Sequence, residues 1–173
     1  MTIGDVLAVI AFALTIGVAW GATILLVSLI VPARALRAQT AIMDAAGACF
    51  LRGLATLFVA LLVFVVLQQN PAWPVKLLSA VPLAASGLLA AIGSAGIVRL
   101  MRERISGMGE AAMPPFAALT RAAMLYVAAG YLPIIGWLCV LPLALFVSLG
   151  AGVTAIAIPR QIAARVPALE TAA

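Results

Sequence analysis

Residues 122–159 read AAMLYVAAGYLPIIGWLCVLPLALFVSLGAGVTAIAIP, 38 positions without Asp, Glu, Lys or Arg. At 1.5 Å per residue, a straight helix of that length would run about 57 Å, nearly twice the hydrocarbon core of a bilayer. How this run divides decides how often the chain crosses a membrane. Pro133 and Pro142 interrupt it, with Gly130 and Gly136 close by. One reading is a single long span, broken or tilted at the prolines, with its end on the far side. The other is a hairpin of two short helices, which returns Arg160 and Arg165 to the side of the other arginines. Charge favours the hairpin. The segment IIGWLCVL (134–141) offers no polar reversal, however, and on that ground one broken span is expected.

Three further runs, 6–33, 53–75 and 77–98, carry no charged side chain, and each is long enough to cross. Lipid cannot hydrogen-bond a bare backbone, so each must be a helix that satisfies its own amides. The expected fold is an all-α integral membrane bundle in a single domain, 1–173. It has four transmembrane helices at about 3–31, 52–68, 76–99 and 122–158, with five short spans as the alternative. Composition agrees: 66% of residues are hydrophobic, 9% are charged, and the mean hydropathy is +1.28. Soluble domains carry about 25% charged residues. The opening MTIGD has Asp5 as its only charged side chain, unlike the basic leader of a cleavable signal, so the first run is expected to be retained.

Nine of the ten basic residues are arginines, the tenth being Lys76. Arg34, Arg37 and Arg52 follow the first run; Arg99, Arg102, Arg104 and Arg121 follow the third. By the positive-inside rule both connections are cytoplasmic, while the N-terminus and the tight turn QQNPAWP (68–74) lie outside. Trp73 in that turn suits an interfacial position. The same seven arginines are candidate topology anchors or lipid-headgroup contacts. They explain the net charge of +5 without nucleic acid. Alanine-rich, arginine-over-lysine usage suggests a GC-rich bacterial genome, and hence a bacterial inner membrane. A segment within 33–52 is expected to form a surface helix or a cytoplasmic extension of the second span.

Between helices in lipid, small residues mark close approach. Gly17 and Gly21 form a GxxxG. Ser86, Ala90 and Gly93 recur at helical spacing, and Ser148, Gly150, Ala151 and Gly152 cluster in the last run. Packing within one bundle is the leading expectation, and docking onto another subunit is the sharper one.

Chemistry is read mainly by exclusion. Without histidine there is no His-ligated haem or metal, and no Ser-His-Asp, Cys-His or HExxH arrangement. Cys49 and Cys139 have no pairing motif. The spans hold no carboxylate or base for a proton path. Their hydroxyls are expected to bond one turn back or to a neighbouring helix. No catalytic residue, metal site or cofactor is therefore expected.

Trp20-Gly21, then Pro32, an arginine-bearing loop into Arg52, and Lys76 opening the third helix make the first 100 residues resemble small four-helix membrane proteins of the copper-resistance D and HemJ-like type. The resemblance implies the architecture. It departs at the histidines those groups use, so no activity or site carries over. The expected function is a non-catalytic membrane subunit or accessory protein of a larger complex, held by helix packing. The alternatives are a small oligomeric transporter or channel, and a lipid-binding or lipid-modifying protein. Expected partners are membrane lipids and other membrane subunits or a second copy, and no nucleic acid.

Overall fold

Prolines punctuate the helices. Pro32, Pro74 and Pro115 each stand in a first turn, where the missing N–H costs nothing and the fixed φ favours entry. The computed structural model describes residues 3–70, 72–108, 114–132 and 134–157. Among them lie α1 (Ile3–Ile30), α2 (Pro32–Gln68), α3 (Trp73–Leu78), α4 (Ala80–Met108), α5 (Pro115–Gly130), a π-helical turn (Gly136–Val140) and α6 (Leu141–Ala157). Four helical runs are long and apolar enough to cross a membrane: Gly4–Ile30, Pro32–Gln68, Trp73–Gly107 and Gly136–Ala157.

The second run differs from expectation. It is helical from Pro32 rather than from 52, with one non-helical residue, Ala45, at φ −156° and ψ 64°. The kink separates 32–44 from 46–68, and the latter, about 34 Å long, matches a hydrocarbon core. A break in the ladder strands carbonyls. The buried Cys49 thiol answers one of them, donating to the Ala41 carbonyl at 3.4 Å. The expected helical extension into 33–52 is therefore present, and it continues the second helix.

The core is α2, α4 and α6, and it is made largely of backbone. Gly53 lies against the Phe146 and Gly150 backbone, and Gly150 against that of Cys49 and Gly53. Gly93 meets Ser148, Gly152 meets Leu89, and Gly96 meets Ala38 and Gln39 in the same way. Ala38, Ala41, Cys49, Ile92, Ala151 and Ala155 fill the remaining space. Helices that approach this closely gain dispersion along their whole contact, which in lipid replaces the hydrophobic effect. Phe50 and Phe146 seal one edge as a T-shaped pair, 5.3 Å between centroids. A second cluster (Ile24, Ala35, Ala95, Val98, Leu119, Ala122 and Ala123) attaches α1 and α5 to α4.

The run 122–158 is not one continuous helix, because α5 ends at Gly130 and helix resumes with the π turn at Gly136. The Tyr126 hydroxyl meets Ser94 on α4, while the Ser148 backbone meets the adjacent Gly93. In a continuing helix, residues 126 and 148 would stand about 33 Å apart. Both touch one level of α4, so α5 and α6 double back on each other. The turn falls after Gly130, where the Tyr131 N–H closes on the Ala128 carbonyl, and before the π turn. The backbone of Gly136 rests on the carbonyls of Ala129 and Gly130. A polar reversal is not needed there, because glycine lets the backbones close on each other. Of the two prolines expected to break the run, Pro142 sits in the first turn of α6, directly after the π turn. The π turn ahead of it, with the Leu141 N–H reaching Gly136, absorbs its missing donor. Pro133 lies outside the described residues, as do Glu110, Arg160 and Arg165.

Candidate functional site: a lateral cleft between α1 and α6

α1 leans on α4 and α5, whereas α6 is held by α2 and α4, and α1 and α6 make no extensive contact with each other. The wedge between them is a cavity of about 530 Å³. Phe12, Ile16 and Trp20 form the α1 wall; Trp137, Leu141 and Leu145 form the opposite one. Val127 of α5 and Tyr131 just after it close the back. The side-chain polar groups of the lining are the hydroxyls of Ser94, Tyr126, Tyr131 and Ser148 and the indole N–H groups of Trp20 and Trp137.

Two tyrosines shape this site. Tyr131, just past the end of α5, donates its hydroxyl to the Ala13 carbonyl of α1, and its ring covers Gly17. Gly21, one turn on, faces Val127, which an added Cβ would meet at 3.4 Å. The GxxxG of α1 is therefore a seat for α5 of the same chain. Tyr126 pairs with Ser94 at 3.1 Å.

That pair is an exception among the hydroxyls. Thr15, Thr23, Ser28, Thr56, Ser86 and Thr154 each donate to the carbonyl one turn back, at 2.7–2.8 Å, as a hydroxyl in an apolar helix must. Ser148 does likewise to Leu145 at 3.0 Å. Ser94, 1% exposed, instead turns across to α5.

The remaining expected packing residues also work inside the chain. Ala90 is buried in α4, Ser86 is buried and bonded to its own helix, and Gly93 receives α6. Gly53 and the two tyrosines were not foreseen. Gly53 stands alone beside Arg52, whereas the tyrosines are the chain's only two, one in the last half of α5 and one just past its end.

The arginines gather at one end. Ala35, Val98, Leu119 and Ala122 share one cluster, so Arg34, Arg37, Arg99, Arg102 and Arg121 emerge around it. Arg104 continues α4 on its exposed side. Arg52 reaches α6, donating from Nη1 to Thr154 Oγ1 at 3.2 Å. Among the described residues no three His, Cys, Asp or Glu side chains lie together, and Cys49 and Cys139 are separate free thiols. No protein-family model, curated protein or solved structure matches this chain.

Proposed function

We propose that this protein binds an apolar, membrane-resident small molecule in the cleft between α1 and α6, and that it binds its ligand without converting it. The observation that carries this reading is a 530 Å³ cavity, walled by apolar side chains and set among helices long enough to span a membrane. Ligand sites are typically concave, mostly apolar and furnished with a few convergent polar groups. No carboxylate, amine or guanidinium lines the cleft, which favours binding over catalysis. The lipid-binding alternative thus moves ahead of the subunit reading, because the small residues meant for a partner are occupied within the chain. The channel reading drew on irregular backbone around Pro133 and Pro142; the π turn Gly136–Val140 lies just ahead of Pro142, and Pro133 lies outside the described residues.

In this reading the chain is a multi-pass protein of a bacterial inner membrane, with the arginine end cytoplasmic and the N-terminus outside. The doubling back of α5 and α6 makes five passes. The 16 residues of α5 give about 24 Å, a short span that Arg121 near its start can extend by snorkelling. The resemblance to copper-resistance D and HemJ-like proteins is kept at the level of architecture.

Ala144 lines the cleft on α6, and tryptophan there would fill it. Native mass spectrometry of gently extracted wild-type protein is expected to show a bound apolar species, and Ala144→Trp is expected to lose it while melting within a few degrees of wild type. Equal retention by a folded Ala144→Trp protein would overturn the reading.

A further inference from the structure

We infer that the ligand is a planar ring carbonyl compound of the quinone class, seated with a carbonyl oxygen on the Ser94–Tyr126 hydroxyl pair. This inference rests on the cleft-binding reading and gives its ligand a chemistry.

The first argument is a count of protons. Two hydroxyls bonded to each other own two O–H groups, and their mutual bond uses one. Every other hydroxyl cited in the spans spends its proton on a carbonyl of its own helix or, for Tyr131, of α1. Neither Ser94 nor Tyr126 makes such a bond, so one O–H of the pair is left over, and both residues line the apolar cavity. A donor left without an acceptor in such a place is costly, and a ligand carbonyl relieves that cost. Ser148 Oγ, whose proton goes to Leu145, keeps lone pairs that can accept from a ring hydroxyl.

Depth is the second argument. Ser94 falls in the middle third of the run Trp73–Gly107, and Ser148 near the middle of Gly136–Ala157. A phospholipid keeps its ester carbonyls and headgroup at the interface, far from both. The acceptor must therefore belong to a molecule whose polar atoms enter the hydrocarbon core. The third argument is shape. Both tyrosines of the chain, two of its three tryptophans and Phe12 line this one cleft. Flat aromatic faces favour offset or edge contacts with another flat ring, which a saturated acyl chain cannot return.

The test uses the full chain in lipid nanodiscs with Trp73, which lies outside the cleft, changed to Phe, so that Trp20 and Trp137 report. A decyl-tailed benzoquinone is titrated in one series and a phospholipid brominated in its acyl chains in another. Saturable quenching by the quinone is expected. The double variant Ser94→Ala/Tyr126→Phe should weaken it at least tenfold, with quenching by the brominated lipid unchanged as evidence of an intact fold. Single variants should lose less, because the remaining hydroxyl can still donate. Quinone quenching that only rises in proportion to concentration, or that is equally strong in the double variant, would overturn the quinone assignment. If the brominated lipid then quenches saturably and Ala144→Phe, which adds bulk to the cleft without adding a tryptophan, removes that quenching, the cleft-binding reading survives the loss of the quinone assignment. If neither probe saturates, both fail.

Discussion

Gly150→Leu is expected to abolish the folded bundle. An added Cβ at this position runs into the Cys49 carbonyl and the Gly53 backbone of α2, groups that cannot rotate away as a side chain can. Overpacking a core costs about 1–3 kcal/mol when neighbours yield, and a backbone collision lies beyond that range. Losses above about 4 kcal/mol approach the whole stability of many domains. The change should therefore appear as aggregated, poorly extracted protein in fluorescence-detected size exclusion. Gly47→Ala and Gly87→Ala are the controls, since a Cβ at either meets nothing within 4 Å. They should behave as wild type, within about 0.5 kcal/mol. A normal elution profile for Gly150→Leu would contradict the backbone-on-backbone core. Gly93 belongs to the same core through Ser148, so leucine there also reports on folding rather than on release from a partner.

Neutralising the end of α4 is expected to scramble orientation. A reporter fused after Ala157 should be uniformly cytoplasmic in the wild type. In Arg99→Gln/Arg102→Gln/Arg104→Gln it should divide between the two sides. Each arginine near an anionic surface contributes about 1 kcal/mol, so three together bias orientation by roughly 100-fold. Glutamine keeps part of the stem that Arg99 and Arg102 lay, half-buried, along the bundle. Paired periplasmic and cytoplasmic reporters at that point would read the ratio. Uniform cytoplasmic signal from the triple variant would mean that orientation is set elsewhere.

The sequence discloses the helices more readily than their arrangement. Uncharged runs such as 6–33 and 77–98 can only be helices in lipid, and α1 and α4 fall there. The start of α2 was hidden because Arg34, Arg37 and Asp44 resemble a loop, although Ala35, Ala38 and Ala41 along one face are what α4 buries. The reversal after α5 was hidden for a different reason. A turn between membrane helices can be held by backbone packing, here Gly136 on Ala129 and Gly130, with none of the polar residues that mark turns in water. Gly17 and Gly21 were legible as a packing motif, but no spacing rule says that Tyr131 occupies the first of them. The cleft depends on that reversal. Tyr126 and Ser148 lie 22 positions apart in the chain and line one cavity only because α5 and α6 fold back.

The distance between the start of α5 and the end of α6, the two ends remote from that reversal, therefore tests the account most directly. Spin labels at Phe116→Cys and Ala157→Cys, both exposed positions, would be measured by double electron–electron resonance in nanodiscs, with Cys49 and Cys139 changed to alanine. Helices packed in one bundle lie about 10–20 Å apart, so with the label arms a distance of about 20–30 Å is expected. A single broken span would put the labels on opposite faces of the membrane, about 50 Å apart or more, and that result would contradict the doubled-back fold and the cleft built on it.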